Sequence, residues 1–177
     1  MKNQFVGNQI IKLNSVDSTN NYTAKLVNET NISFGTVIMA DFQTRGKGQR
    51  SSYWKSEKGL NLLISIYFDS SFLIFENVFY LSKAIALAIR ECVEKIIGTQ
   101  VLIKWPNDIL VNGSKISGVL IENQWKNEKL MSSIIGVGLN VNQVVFPGED
   151  NILSLNNLTS KVYNLNSILK SLCLCLD

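Results

Sequence analysis

A change of hydrophobic period at Gly98 constrains the fold of this chain more than any other feature. From Val78 to Ile97, apolar residues recur at helical spacing (Leu81, Ile85, Ala88, Ile89, Cys92, Val93, Ile96), which predicts a long amphipathic helix. Gly98 stands where a left-handed residue ends such a helix. Beyond it the period shortens. Val101–Trp105 reads as a strand, Pro106-Asn107-Asp108 as its turn, and Ile109-Leu110-Val111 as a second strand closed by Asn112-Gly113, the strongest short hairpin signal. Ser114–Glu122 returns as a strand, Asn123–Lys129 reads as a polar turn, and Leu130–Val141 as another strand. Upstream, the N-cap candidates Asp17 to Asn20 precede a short helix over Tyr22–Val27, and Thr36–Ala40 and Leu60–Phe68 read as strands. A helix over Asn166–Leu176 closes the chain. Two or three helices against a largely antiparallel meander make an α+β fold. At 177 residues, 46% of them hydrophobic, and without an internal repeat or linker, one domain over 1–177 is expected.

The composition restricts the chemistry through a zero: the chain has no histidine. A Ser-His-Asp triad, a Cys-His dyad, an imidazole base and a His-containing zinc site are all excluded. Any reaction must run on Lys, Arg, carboxylates, hydroxyls, amides and backbone groups. The three cysteines, Cys92, Cys173 and Cys175, form neither a disulfide framework nor a four-ligand metal set and read as reduced thiols. Met1-Lys2-Asn3-Gln4-Phe5 leads into no apolar signal segment, and no run approaches the ~18 apolar residues of a membrane span, so a cytoplasmic protein is expected. A net charge of +3 with no basic block does not point to nucleic acid.

Three short stretches could carry chemistry. The loop Gln43–Trp54 gathers Arg45, Lys47 and Arg50 with two glycines, a pattern that can wrap an anion or simply lie solvated. It is neither a P-loop nor a dinucleotide fingerprint. Its polar residues offer little to bury, so it is expected to order when a ligand binds. Lys104 interrupts an apolar strand, where a buried ammonium would demand an anionic partner and an edge position would not. Gly136-Val137-Gly138-Leu139-Asn140 ends an apolar strand with two glycines, consistent with close approach of a ligand or with tight packing.

Taken in order, these stretches resemble the biotin–protein ligase family. Ser18-Thr19-Asn20 is similar to its Ser-Thr-Asn motif, and Gln43-Thr44-x-Gly46-Lys47-Gly48 to its Gln-Thr-x-Gly-Arg-Gly loop, continued by Trp54-x-Ser56-Glu57-x-Gly59-x-Asn61-Leu62. Lys104-Trp105-Pro106-Asn107-Asp108 is identical to the family pentapeptide. Lys115 to Glu122, Gly136-x-Gly138-x-Asn140 and Ser154-Leu155 follow in register, so the resemblance covers roughly residues 10–156.

The resemblance implies a mixed sheet with helices packed on it, related to class II aminoacyl-tRNA synthetase catalytic domains. It implies a ligase that forms biotinyl-5′-AMP from biotin and ATP, with Mg²⁺ accompanying the nucleotide, then transfers biotin to a lysine of a biotin carboxyl carrier protein. Lys104 would be the catalytic cation. Biotin contacts would come from Ser18, Thr19, Asn20, Gln43, Gly46, Lys47, Gly48, Gln49, Lys104 and Gly118. Arg45, Arg50, Trp54, Asn107, Lys115 and Asn140 would serve the nucleotide, and no side chain is assigned to a metal. Lys47 departs from the family arginine, and Ser51-Ser52-Tyr53 from its Gly-Arg pair, so Arg45 and Arg50 stand as substitute cations. Neither the helix-turn-helix domain nor the small C-terminal β-domain of some members is expected in this chain. No DNA or membrane partner is expected, and a homodimer stays open. Two alternatives remain: a lipoate–protein ligase-like transferase, and a non-catalytic sensor of biotin or nucleotide.

Overall fold

The structure is a computed structural model and describes residues 5–177. Its centre is a seven-stranded sheet. In chain order the strands are β1 (Ile10–Leu13), β2 (Val37–Ala40), β3 (Leu62–Asp69), β4 (Leu102–Lys104), β5 (Asp108–Val111), β6 (Ser114–Lys126) and β7 (Lys129–Leu139). In space they lie in the order β1-β2-β3-β7-β6-β5-β4. Only β1 and β2 pair in parallel, and the crossover that such a pair requires is supplied by helix α1 (Thr19–Glu29). The remaining helices are α2 (Val78–Ile97), α3 (Leu155–Thr159) and α4 (Leu165–Leu176).

The pleat sorts the central strands into two chemistries, because successive side chains point to opposite faces. On one face Leu62, Ile64, Ile66, Val119, Ile135, Val137 and Leu139 join the core with Leu81, Ile85, Ile89 and Cys92 of α2 and Ile168, Leu169 and Leu172 of α4. The residues between them behave differently. Leu63 lies opposite Gly138, Ser65 opposite Gly136, Gly118 opposite Gly138, and Leu120 opposite Gly136. On this second face Gly118, Gly136 and Gly138 leave the backbone open between Leu63, Ser65 and Leu120, and α1 packs against its β2, β3 and β7 strands. One side of the sheet is the hydrophobic core, and the other is floored for something to lie close to the backbone.

The long helix takes the predicted span, and Gly98 ends it at φ 68°. α1 begins earlier and ends later than the predicted Tyr22–Val27, with Ser18 extended at its N-cap. The stretch Asn123–Lys129, read as a turn, is instead mostly strand: β6 runs on to Lys126, and the turn is Asn127-Glu128 alone, both at positive φ. Polar side chains that suggest a loop here pair across the ladder, Ser133 Oγ donating to Asn123 Oδ1 and Ser132 Oγ to Gln124 Oε1, each at 2.7 Å. β1 and α3 carried no expectation. The first is a short edge strand with no fully buried residue; the second is set by Ser154, whose hydroxyl accepts from Asn157 N–H in a reciprocal cap. β4 is the opposite edge, and Leu102, Ile103 and Lys104 are all exposed there, so Lys104 needs no buried counter-ion.

Candidate active site

Three elements meet on the glycine-floored face: the start of α1, the Gln43–Trp54 loop, and the β6–β7 ladder. Ser18, Thr19 and Asn20 are buried although polar, which obliges them to find partners. Gln43 Oε1 accepts from the Thr19 N–H at 2.7 Å and from the Thr19 hydroxyl at 3.1 Å. Asn20 Nδ2 donates to Glu122 Oε2 at 2.7 Å, and Asn20 Oδ1 lies 2.5 Å from the Ser65 hydroxyl. The first turn of α1 is thereby tied to the loop on one side and to β3 and β6 on the other. Asp17, just before it, is held below the ordinary carboxylate range, first by a hydrogen bond from Asn21.

The loop is itself a small hairpin. Gly48 N–H donates to Ser52 O, Ser52 N–H to Gln49 O, and Trp54 N–H to Gly46 O, with Lys47 bridged to Tyr53. A Cβ on Gly46 would fall 2.4 Å from Trp54 O, so only glycine allows this closure. Arg50 sits at the tip in a left-handed conformation, φ 51°. Lys47 reaches back to the sheet and pairs with Glu122 at 2.7 Å.

Trp54 brings the loop down onto the sheet. A Cβ on Gly138 would lie 2.4 Å from its Cε2, and one on Gly118 would lie 3.0 Å from its Cζ3, so the indole rests on the backbone of β6 and β7. Lys115 Nζ stands 5.5 Å from the indole centroid and 2.7 Å from Asp108 Oδ1. The Trp54 Nε1 proton and the Ser56 hydroxyl are buried without a hydrogen-bond partner among the described residues.

These contacts enclose a cavity of about 190 Å³ whose wall includes Ser18, Thr19, Asn20, Gln43, Lys47, Gly48, Gln49, Asn107 and Gly118. Beside it opens a cleft of about 910 Å³ that carries Lys104 and Asn140. Ser52, Tyr53, Trp54, Asp108 and Lys115 line both, so the two spaces share a wall. Lys104 lies opposite Asp108 on the β4–β5 ladder, yet no carboxylate among the described residues is within ion-pair distance of its ammonium. Asn140 is buried and donates to Leu153 O at 3.1 Å. Gly46 is buried within the loop. Arg45 and Arg50 are exposed and belong to the wall of neither space. Sequence reasoning singled out the Gly136–Asn140 stretch for close approach of a ligand without assigning Gly136 or Gly138 a contact, and gave no role to Ser65 or Glu122. The available signal was their shared pleat face: Gly118, Leu120 and Glu122 alternate along β6, and Ser65 interrupts an apolar strand.

Comparison with known proteins gives the family and the fold. Residues 13–140 match the Biotin/lipoate A/B protein ligase family. A bifunctional ligase/repressor BirA of Bacillus spizizenii is 33% identical over 181 aligned residues, covering all of this chain and 55% of that protein. BirA of Escherichia coli is 30% identical over 142 residues, covering 78% of this chain and 42% of that one. The chain thus spans about half the length of these curated relatives. Among solved structures, the biotin protein ligase from Aquifex aeolicus in complex with biotin and ATP superposes with a TM-score of 0.80 at 33% identity, over 96% of this chain and 68% of that one.

Proposed function

Because the chain belongs to the biotin/lipoate A/B protein ligase family, we propose that it is an ATP-dependent ligase that forms biotinyl-5′-AMP and passes biotin to a lysine of a biotin carboxyl carrier protein. The observation that carries this reading is the shared wall between a small polar-ended cavity and a larger open cleft, with Lys104, outside every ion pair among the described residues, on the cleft side. The relatives point the same way: the Aquifex aeolicus protein binds biotin and ATP.

The small cavity has the polarity a cyclic urea requires. Asn20 Oδ1 is an acceptor for a ring N–H, while Gln43, its oxygen committed to Thr19, has its amide N–H₂ left as a donor for a carbonyl. The glycine floor and the Trp54 indole suit the apolar bicycle and chain. The biotin carboxylate then emerges near the wall that Asp108 and Lys115 share with the nucleotide cleft. There a carboxylate oxygen attacks the α-phosphorus of ATP and the bond to pyrophosphate breaks. No base is needed, since the nucleophile is already ionised, which suits a chain without histidine. The task is to hold two anions together while charge grows on phosphorus; Lys115, held by Asp108, and Lys104, exposed on the cleft side, supply positive charge for it. Lys47, Gly48 and Gln49 close over the ligand, and Trp54 and Asn140 border the nucleotide cleft, whereas Asn107, expected on the nucleotide side, lines the small cavity instead. Arg45 and Arg50, exposed beyond both walls, meet ATP only if the loop tip folds inward. Mg²⁺ would accompany ATP and offset its phosphate charge, with the phosphates as its main ligands. In the second step the carrier amine attacks the acyl carbon, AMP leaves with the bonding pair, and the amine proton passes to water.

The test is incubation of the chain with biotin, Mg-ATP and a carrier domain, read by intact mass. One biotin added to the carrier, dependent on ATP, supports the reading. Adenylate formation from lipoate but not from biotin would overturn it, and biotin binding without any adenylate would identify a sensor.

A further inference from the structure

We propose that Glu122 is a positioning residue of this site: it fixes the direction in which the Asn20 amide faces, and it anchors the closing loop through Lys47. Glu122 lies two residues beyond Leu120 on the same face of β6, one step outside the cavity wall. It touches no part of the cavity and acts through the two residues it holds. The proposal rests on reading the small cavity as the biotin site.

A carboxylate can only accept. Oε2 takes the Asn20 Nδ2 proton at 2.7 Å, with Leu120 O at 3.4 Å as the second acceptor on that side. The Asn20 amide therefore turns its nitrogen toward Glu122 and Leu120 O and its oxygen toward Ser65. That oxygen sits close to the sheet, 2.5 Å from where a Cβ on Gly136 would stand, so the amide has little freedom except to flip. Ser65 can donate or accept and does not by itself choose an orientation. Glu122 chooses it. The other oxygen, Oε1, meets Lys47 Nζ at 2.7 Å, and Lys47 is the residue through which the loop reaches this part of the sheet. One side chain thus sets the hydrogen-bond polarity of the closed end and the position of the flap above it. The contacts join positions 75 and 102 residues apart in sequence.

Three substitutions separate the two tasks. Glu122→Gln keeps an oxygen for Asn20 but presents an N–H₂ to Lys47. Lys47→Met removes only the ion pair, and Glu122→Ala removes both. Hydrogen exchange of the amides over 44–53, measured on the protein alone, is expected to rise up to about fivefold in E122Q and in K47M, the range for a half-exposed pair. The double variant should exchange no faster than either single one. Salt should bring the wild-type loop to the E122Q level without changing E122Q. The Asn20 side-chain amide protons, read by NMR, should stay protected in E122Q and lose protection in E122A. Biotin should bind E122A about tenfold more weakly than E122Q.

Wild-type loop protection in E122Q, or additive effects with K47M, overturns the anchoring role. Equal Asn20 amide protection in E122A and E122Q overturns the orienting role. If the wild-type chain binds no biotin, the functional reading fails instead, and the exchange and NMR measurements still decide both roles of Glu122.

Discussion

A Cβ on Gly138 would come within 2.4 Å of the Trp54 ring, closer than carbon atoms approach without bonding, and the neighbour is a rigid indole resting on backbone. Gly138→Ala must therefore lift Trp54 from the sheet or bend β7. Overpacking of this kind costs about 1–3 kcal/mol. The expected outcome is roughly a tenfold or greater loss of biotin affinity by calorimetry, together with a lower urea midpoint; an unchanged affinity would show that the indole is not part of the ligand wall. Lys104 is the opposite case, exposed on an edge strand and outside every ion pair among the described residues. Lys104→Ala should leave thermal unfolding unchanged while lowering biotin-dependent ATP–pyrophosphate exchange by about 10²–10³, the usual effect of losing one preorganised donor. Both residues were visible in the sequence, but for different reasons. Lys104 stood out as a charge among apolar residues, although the burial that made it seem unusual is absent. Gly138 stood out only as a glycine in a strand, and its meaning depends on a tryptophan more than eighty positions earlier.

Among the elements, helix α2 was legible because a periodic apolar stripe and a terminal glycine are local signals, and nothing distant overrides them. Its connection to β4 is held by Glu94, which accepts from the Val101 N–H at 3.0 Å and pairs with Arg90 at 3.0 Å. The Val101 hydrogen bond first, and Arg90 after it, hold the Glu94 carboxyl below its ordinary 4.5. A depressed carboxyl stabilises the fold above its unfolded value, and that contribution disappears as pH falls through the folded one. Glu94→Gln should therefore flatten part of the loss of stability below pH 4.5, measured by urea unfolding across the acid range. The β6–β7 hairpin was less legible, since its polar cross-strand pairs look like loop residues until the partner strand is known. Its true turn places Glu128 at φ 65°, where a side chain is strained. Glu128→Gly should raise stability by about 1 kcal/mol, seen as a higher urea midpoint.

At the scale of the molecule, the α2–α4 side of the sheet buries two thiols that respond to alkali. Burial pushes the Cys92 thiol up to about 12 and the Cys173 thiol up to about 11, from an ordinary 9.0. The unfolded chain loses these protons first, so their contribution to stability is complete below pH 9.0 and falls as pH rises toward the folded values. Urea unfolding over that window should show a declining midpoint, with a shallower slope in Cys92→Ala. The sheet's other side explains why the candidate site was only half readable. Motifs of contiguous residues announced the loop, the start of α1 and the Lys104 pentapeptide. Ser65 and Glu122 contribute through contacts that exist only after β3, β6 and β7 have assembled, and no local pattern encodes those.

The seating of Trp54 has an optical consequence. Of the three tryptophans, Trp105 and Trp125 are exposed, at 71% and 43%, whereas Trp54 lies against the glycine floor with its indole N–H shielded from solvent. Its emission should form the blue shoulder of the protein's spectrum and resist quenching by acrylamide, while the other two are quenched readily. The molecule therefore carries an intrinsic dye in the wall of its candidate site, and a ligand that enters there, or a loop that moves, should report itself in time with no label attached.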